Sequence, residues 1–461
     1  MSSSGPRKEI IICTAVFAVY ITAAVIAGLH HEAWSDEAQS WLIARDNNSI
    51  IDIIKAVRYE GTLPTWHLIL KLFQIMGLKY EYLFVVPLLF SSAGVILLFM
   101  TDAPLMAKIM IPFSFFVLYQ NAVVARQYSL VFPIMMLIVL SYKDRYDHPA
   151  RYYAALILLG LTSSYGVIIS CSFLLWDFIC MAQKKYRERI TKMFRILFYV
   201  TVAVMLLIVF ASIPPSDCSF ELLSYSFTDS LVTALLFRID SMAVRCIILV
   251  LYAALFVYCF RARIAQALVI AVPVVLYMLF FYVKIWHTTY LFCLVITLMM
   301  ILRDDPDAND GKACPKVLMP VRICVIALLG VQCAGGVYSV CTDYMYPYYP
   351  SEEVAEYLRP YVDSGAVIDR IGFAGVCVQP YYDSNIYSNC SSDKSYKIWS
   401  IEYPDNKLSS PKPDIIISSA SLPKYEIFSG YRPMEFKSRM IFGFSEAEDS
   451  TIIVWTKETD I

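Results

Sequence analysis

Repeated apolar runs of about 15 to 21 residues constrain this chain more than any other feature of its sequence. A helix rises 1.5 Å per residue, so about 20 apolar residues cross the roughly 30 Å hydrocarbon core of a bilayer. The runs predict roughly eleven crossings and a mostly α-helical, polytopic membrane protein. They lie near residues 9–29, 82–101, 104–120, 126–142, 151–164, 166–182, 193–213, 242–260, 265–283, 287–302 and 318–340.

Composition supports the same class and excludes others. Hydrophobic residues make up 58% of the chain and charged residues 17%, whereas soluble domains have roughly half and a quarter. The net charge of −1 offers no basic surface for phosphates, so we expect no nucleic-acid partner. The 13 cysteines show neither a CxxC pair nor zinc-ligand spacing. The first apolar run is too long for a signal peptide and has no small-residue cleavage site, which predicts a retained span.

Charge predicts the orientation of the spans. The stretch 151–182 reads as one long helix or as a hairpin broken at Thr162–Gly166. A hairpin puts Arg151 on the same side as the basic residues 184–192, which satisfies the positive-inside rule. The predicted cytoplasmic segments then all carry Lys or Arg, and the N-terminus is cytoplasmic: Arg7, Lys8, Lys108, Lys143, Arg145, Lys184 to Lys192, Arg261, Arg263, Arg303, Lys312 and Lys316.

This topology leaves three sizeable segments outside the cytoplasm. They are a loop over about 30–80, a loop over about 214–240 and a tail over about 341–461, so the chain divides into a transmembrane domain 1–340 and an extracytoplasmic domain 341–461. In the tail, a helix beginning at Ser351 and apolar runs at 366–368, 414–417 and 451–455 predict a small α/β domain. Such a domain is either a lid or acceptor-binding surface, or a packing cap without a ligand.

The first outer loop carries the most informative residues. Asp36 and Glu37 follow the first span by only a few residues, next to Trp34 and Trp41. Tryptophan favours the membrane–water interface, so both acids are predicted at headgroup depth. A second segment, Tyr59-Glu60-Gly61-Thr62-Leu63-Pro64-Thr65-Trp66-His67, follows a helix-like stretch that is predicted to lie along the membrane surface.

An Asp-Glu pair after the first span, followed by a Glu-Gly-x-x-Pro-x-Trp segment, resembles the membrane glycosyltransferases of the GT-C superfamily. Among these, it is most similar to bacterial relatives of protein O-mannosyltransferases and aminoarabinose transferases (glycosyltransferase family 39-like). The elements Ala125-Arg126-Gln127-Tyr128-Ser129-Leu130 and Trp286-His287-Thr288-Thr289-Tyr290 extend the likeness, which covers about residues 10–300. The resemblance implies a GT-C-like fold in a bacterial cell membrane, with transfer of a sugar from a polyprenyl-phosphate donor to an extracytoplasmic lipid, glycan or protein.

The same resemblance implies roles for individual residues. Asp36 would act as the general base of an inverting displacement, with Glu37 beside it in the catalytic pair. Glu37 and Glu60 would orient the acceptor or hold a divalent ion, for which Asp36 and Glu60 are the candidate ligands. Arg126 would bind the donor phosphate, because a guanidinium matches phosphate oxygens in a fork. Further candidates are Lys284 and His287 for the phosphate, and His31, His67 and Arg58 for acceptor or metal positioning.

Plainer interpretations stay open for each of these residues. Asp36 and Glu37 could be solvated acids at a helix start, Glu60 a turn residue, and Arg126 a snorkelling side chain at a helix end. Lys284 and His287 could be interfacial anchors. No Asp-x-Asp motif occurs in the outer loops, which leaves metal dependence open. A transporter or flippase of a lipid-linked saccharide is the alternative function, but it predicts charges within several spans or similar halves. An inactive scaffold on the same fold is the third.

Overall fold

The computed structural model describes residues 6–219, 230–233, 239–281, 283–302, 319–390, 394–401, 407–409, 412–420, 428–446 and 450–458. The predicted cytoplasmic residues Arg303, Lys312 and Lys316, and much of the predicted outer loop 214–240, lie outside this set.

Helices form most of the described chain. In chain order they are α1 (Pro6–His30), α2 (Ser35–Asp46), α3 (Ile50–Val57), α4 (Thr65–Ile75), α5 (Val85–Met100), α6 (Leu105–Met110), α7 (Val131–Tyr142), α8 (Pro149–Gly160), α9 (Ser164–Ala182), α10 (Lys192–Ala211), α11 (Met242–Phe260), α12 (Ile264–Phe280), α13 (Thr288–Ile301), α14 (Met319–Met345) and α15 (Ser351–Asp363).

Within the described residues, six helical stretches are long and apolar enough to cross a membrane. The stretch Met242–Phe280 counts as one of them, although a 3-10 turn at Arg261–Arg263 separates it into α11 and α12. Shorter apolar helices cover Gln127–Tyr142 and Ile285–Ile301. The chain therefore has the helices of a polytopic membrane protein, and the total of eleven crossings stays a prediction. The six stretches are Arg7–His30, Tyr80–Met100, Ser164–Ala182, Lys192–Ala211, Met242–Phe280 and Met319–Met345.

The outward faces of these helices are apolar. Leu206 on α10 is 66% exposed, Phe210 75%, and Val250 on α11 67%. Exposing large contiguous apolar surface to water is unfavourable, whereas lipid tails are as apolar as these side chains. The exposed faces therefore fit a lipid environment.

The predicted span 104–120 is not one continuous helix. It divides into α6, a 3-10 turn at Ile111–Phe113 and a π-helix at Phe115–Gln120, with Ser114 extended between the last two. Pro112 has no backbone N–H to continue an α-helical ladder, which explains the break. Part of the room for this irregular backbone comes from Gly336 on α14, where a Cβ atom would lie 2.5 Å from the carbonyl oxygen of Phe113.

The stretch 151–182 is the predicted hairpin and not one long helix. Helix α8 ends at Gly160, and Ser163 caps the start of α9 by accepting the Gly166 N–H at 3.2 Å. The two helices then pack together, and the Ser170 hydroxyl donates to the Leu156 carbonyl at 2.8 Å. The hairpin puts Arg151 and the basic residues 184–192 at the same end, as the charge distribution predicted.

The tail folds into a small α/β unit of α15 and a four-stranded sheet. The strands are β1 (Ile368–Arg370), β2 (Ile415–Ser419), β3 (Tyr431–Phe436) and β6 (Ile452–Lys457), in the order β1-β2-β6-β3. Strands β1 and β2 are parallel and the other pairs antiparallel. The predicted helix and three predicted strands are present.

Strand β3 was missed from the sequence. Its residues lie mostly exposed and include Pro433, so neither an apolar run nor strict alternation marks it. As a sheet-edge strand it tolerates a proline, because one side of its backbone has no pairing strand. A short hairpin, β4 (Ile441–Phe442) and β5 (Ser445–Glu446), follows it. This hairpin anchors the tail to the helices, with the Phe442 ring 4.5 Å from that of Phe115.

An ion pair is buried between α9 and the turn after α7. Arg145 Nε lies 3.8 Å from Asp177 Oδ1, and neither side chain is exposed. The Arg145 guanidinium also lies 3.9 Å from the centre of the Tyr142 ring and donates to the Tyr146 hydroxyl at 2.9 Å. Breaking such a pair leaves an uncompensated buried charge. Asp177, the main charged residue within the predicted spans, therefore has a structural partner.

We predict that Asp177→Asn lowers the free energy of unfolding by about 3–5 kcal/mol, because Arg145 keeps its charge without a counterion. Denaturation of the detergent-solubilised protein measures this change. Asp147→Asn, which neutralises an exposed acid of the neighbouring turn, is the matched control. Equal stability of the two variants would contradict the assignment.

Candidate functional site

Helix α2 carries the acidic pair and is held in the centre of the candidate site. Its first turn contains Asp36 and Glu37, where negative charge interacts favourably with the helix dipole. The Glu37 carboxylate accepts the backbone N–H of Trp34 at 3.2 Å, which closes the start of the helix. Most of α2 is buried, including Trp41 and Leu42. The position of Asp36 is therefore fixed by packing.

Asp36 lies next to Arg126, which is ninety residues away in sequence. Arg126 Nη2 is 3.6 Å from Asp36 Oδ2, and its Nη1 donates to the Asp36 carbonyl at 2.7 Å and to the Ser40 hydroxyl at 3.0 Å. The side chains are 15% (Arg126) and 24% (Asp36) exposed. A carboxylate and a guanidinium thus meet at a partly open position.

The surroundings favour a basic Asp36 carboxylate. Burial raises its pKa above the ordinary value, the charge of Arg126 opposes this, Glu37 adds to it and Lys284 opposes it. The net direction is upward, so the carboxylate binds a proton more readily than an exposed aspartate does. Lys284 therefore shares the electrostatic field of Asp36, although it follows α12.

Glu60 belongs to the same electrostatic cluster. It accepts the Gln39 side-chain N–H at 2.7 Å. Burial raises the pKa of Glu60 to about 7, against hydrogen bonds from Gln39 and Trp399 and the charge of Arg126. The negative charge of Asp36 raises the pKa further. The Glu-Gly-x-x-Pro segment is thus near the Asp-Glu pair, which the family resemblance implied.

Glu37 has a different position from Asp36. Its carboxylate is 1% exposed, and it accepts the Ala125 backbone N–H with Oε2 and contacts His31 Nε2 at 3.1 Å with Oε1. With both oxygens engaged, Glu37 points into the protein and away from the partly open side of Asp36. The catalytic role that the resemblance implied for Glu37 stays a prediction.

His31 lies between two carboxylates. Its Nδ1 is 2.9 Å from Asp343 Oδ2 on α14, and its side chain is 3% exposed. Burial alone lowers the pKa of His31, but Asp343 and Glu37 outweigh burial and raise it to about 10. His31 is therefore protonated at neutral pH and forms an ion pair with each carboxylate.

His67 and Arg58 lie in different surroundings. His67 is 2% exposed, and burial, with the charge of Arg126, lowers its pKa to about 3. It is neutral and near Arg126. Arg58 is exposed and donates to the Ile213 carbonyl at 3.2 Å. Among the described residues, no hydrogen bond or ion pair joins Arg58 to Asp36 or Arg126.

His287 is buried beneath the site. Its ring stacks on Tyr165 with centroids 5.0 Å apart, and its Nδ1 accepts the Lys284 backbone N–H at 3.0 Å. Because Nδ1 accepts this hydrogen bond it carries no proton, so the imidazole is neutral. A neutral imidazole that accepts at Nδ1 carries its proton at Nε2. His287 can thus donate one hydrogen bond but brings no positive charge to a phosphate.

The tail covers α2 from the other side. The Gln39 side chain donates to the Lys397 carbonyl at 2.7 Å and accepts the Lys397 N–H at 2.9 Å. Arg45 donates to the Tyr382 carbonyl and the Ser395 hydroxyl, each at 2.9 Å. Asp46 accepts the Ser395 N–H at 2.7 Å. The tail is thus part of the site's wall.

Several of these contacts were missed from the sequence. Gln39 follows Asp36 by about one helical turn, so helical spacing was a usable signal. Asp343 lies just past the predicted apolar run 318–340, near the end of α14, and ionisable residues in spans commonly have a function or a partner. No local signal marks Trp399 or Lys397, because their position depends on how the tail docks.

An aromatic cavity of about 60 Å³ is lined by residues of, or close in sequence to, three of the four predicted motifs. Trp34 lies two residues before Asp36, Tyr128 two residues after Arg126, and Trp286 directly before His287. The remaining lining is mainly apolar and includes residues of the β4–β5 hairpin: Phe115, Tyr119, Gln120, Val124, Ile285, Tyr348, Met440, Ile441 and Phe442. The cavity is large enough for a small apolar group.

The described residues contain no group of three or more His, Cys, Asp or Glu side chains placed to hold a metal ion. Asp36 and Glu60 remain the candidate ligands. Comparisons of the chain with protein-family models, with curated proteins and with solved structures found no match.

We predict that His31 makes stability depend on pH. Its pKa in the fold, about 10, lies above its ordinary 6.5, so its stabilisation is complete below about pH 6.5 and is lost as the pH rises through about 10. The difference in thermal midpoint between wild type and His31→Gln should shrink over that interval. His30→Gln, which changes an exposed neighbour, should follow the wild type. A difference that does not vary with pH would contradict the shift.

We predict that Arg45→Ala loosens the tail from α2. Hydrogen bonds to charged groups contribute about 1.5–3 kcal/mol each, so local opening should become about tenfold or more frequent. Limited trypsin cleavage after Lys397, followed by mass spectrometry, measures this opening. Lys55→Ala on α3 removes an exposed charge and should leave the cleavage rate unchanged. Equal rates in both variants would mean that Arg45 does not hold the tail.

Proposed function

We propose that this protein is a membrane glycosyltransferase that moves a sugar from a polyprenyl-phosphate donor to an extracytoplasmic lipid, glycan or protein acceptor. The observation that carries the proposal is the 3.6 Å approach of the Asp36 carboxylate and the Arg126 guanidinium at a partly exposed position. Sugar transfer from a lipid phosphate needs a base for the acceptor proton and positive charge for the leaving phosphate. Asp36 and Arg126 supply both.

The reaction is a single displacement with inversion. The acceptor oxygen attacks the anomeric carbon while the bond from that carbon to the phosphate oxygen breaks. Asp36 takes the hydroxyl proton, and the polyprenyl phosphate leaves with the electron pair. A general base works best when its pKa lies near the operating pH, and the upward shift of Asp36 moves it in that direction.

Arg126 and Lys284 are the cations proposed for the donor phosphate. The Arg126 guanidinium is 15% exposed beside Asp36, which puts its positive charge at the partly open side of the pair. Lys284 contributes charge at the same position through its effect on Asp36. His287 adds at most one neutral hydrogen bond, from Nε2.

Glu60 is proposed to orient the acceptor or to hold a divalent ion together with Asp36. The hydrogen bond from Gln39 holds the Glu60 carboxyl group near Asp36. Because the pKa of Glu60 is raised to about 7, this group does not add a second full negative charge beside Asp36 at neutral pH. His67 provides a neutral wall near Arg126. Arg58, exposed and remote in its contacts, is the weakest of the candidate acceptor residues.

The proposal requires the first loop, the second loop and the tail to lie on the same, extracytoplasmic side. Their contacts support this placement: Asp217 of the second loop accepts the Tyr59 hydroxyl at 3.1 Å and the Ser400 hydroxyl at 2.7 Å. With an odd number of crossings, near eleven, and a cytoplasmic N-terminus, the tail is extracytoplasmic.

Transfer of radiolabelled sugar from polyprenyl-phosphate sugars in membranes tests the proposal. We expect Asp36→Asn to lower turnover by about 10²–10⁴-fold, the range for loss of a general base. Arg126→Ala should lower it by about 10²–10³-fold. Arg126→Lys should retain part of the activity, because it keeps the charge and loses the fork.

Asp52→Asn and Lys55→Ala, on the exposed face of α3, are the matched controls and should retain wild-type turnover. Full turnover by a folded, inserted Asp36→Asn would overturn the base assignment. Movement of the lipid-linked saccharide across the bilayer without transfer would favour a flippase instead.

A further inference from the structure

A line of buried polar groups joins the end of α14 to the loop that carries Arg126. Asp343 Oδ2 is 2.9 Å from His31 Nδ1, and His31 Nε2 is 3.1 Å from Glu37 Oε1. The other Glu37 oxygen accepts the Ala125 N–H. The side chains of the three residues are at most 3% exposed. The line therefore runs through protein and not through solvent.

Each end of this line is anchored a second time. Asp343 Oδ2 also accepts the Tyr119 hydroxyl at 2.8 Å, from the π-helix that precedes the Arg126 loop. Glu37 Oε1 also accepts the Trp34 N–H at 3.2 Å. The chain segments before α2 and before Arg126 are thus bound to one carboxylate, that of Glu37.

The spacing in sequence connects this carboxylate with the reacting groups. Glu37 directly follows Asp36, and Ala125 directly precedes Arg126. A shift of Glu37 therefore moves the backbone on both sides of the 3.6 Å pair. His31 is the cation that lets the Glu37 and Asp343 carboxylates lie on opposite sides of one ring, because two buried like charges without it would repel each other.

We propose that His31 is a positioning residue, which holds Glu37 against the Ala125 backbone and so keeps Arg126 in register with Asp36. This inference rests on the proposed function for its catalytic consequence, but the positioning itself is a property of the fold. Misplacement of reacting groups by about 1 Å can reduce turnover by about 10²-fold.

Hydrogen exchange of the full-length protein in lipid nanodiscs tests the positioning without any substrate. In His31→Gln and in Glu37→Gln we expect the Ala125 amide to exchange about tenfold or more faster, because its acceptor is displaced or loses its charge. Amides of strand β2, Ile415–Ser419, should keep their wild-type rates.

His30→Gln is the matched control. His30 is exposed, and among the described residues its ring forms a hydrogen bond within its own helix, to the Ile26 carbonyl at 2.9 Å, and packs on Tyr344. Its exchange pattern should equal that of the wild type. In the transfer assay, His31→Gln should lower kcat by about 10²-fold, while the KM for the polyprenyl-phosphate sugar changes less than about threefold.

The outcomes separate the two proposals. Faster exchange at Ala125 alone in His31→Gln would support the positioning. If the wild type shows no sugar transfer, the transferase proposal would be overturned while the positioning stands. An unchanged Ala125 rate in His31→Gln would overturn the positioning, whatever the activity. Faster exchange throughout the chain, β2 included, would also overturn it, since His31 would then only support global stability. A KM effect without a kcat effect would assign His31 to donor binding instead.

Discussion

The burial of charge in an apolar surrounding is the constraint on which the rest of this structure depends. A buried ion is tolerated when other groups compensate it, since desolvation costs several kcal/mol per ion. The imidazolium of His31 meets this requirement with Glu37 and Asp343, and Arg145 meets it with Asp177. The His31–Asp343 and Arg145–Asp177 pairs join segments that are separated in sequence. Electrostatic compensation therefore helps to determine which helix ends meet.

The candidate site follows from this pairing. Glu37 is directed inward. Asp36, the residue before it on α2, lies beside Arg126 and remains partly exposed. The tail then closes the opposite side through Gln39 and Lys397. The tail is more than a separate appended domain, because the Trp399 side chain forms a hydrogen bond with Glu60. The tail therefore forms a wall of the site. A role as a lid or acceptor-binding surface belongs to the proposed function, and a packing cap without a ligand is the alternative.

Much of the fold was predictable from local patterns. Long apolar runs located the six long helical stretches, and the charge asymmetry favoured the hairpin at 151–182. The broken segment 104–120 was misjudged because hydropathy does not register that Pro112 ends a hydrogen-bond ladder. Strand β3 was missed because an edge strand with exposed side chains has no apolar signature. In the site, the family resemblance grouped Asp36, Glu37, Glu60 and Arg126, which lie close together in the structure, but the sequence could not tell which of two adjacent acids is the more exposed.

The sequence alone determined the solvent of this protein and the segments in which charge is concentrated, because hydropathy and charge are properties of single residues and their neighbours. Only the tertiary structure decided which charges neutralise each other, which histidines are protonated and which carboxylate stays accessible. His31 and His287 have the same side chain, yet they are in different protonation states. Two carboxylates, Glu37 and Asp343, raise the pKa of His31 to about 10, whereas His287 accepts a backbone N–H at Nδ1 and is neutral. The carboxylate of Asp343 reaches His31 only through packing between segments remote in the chain.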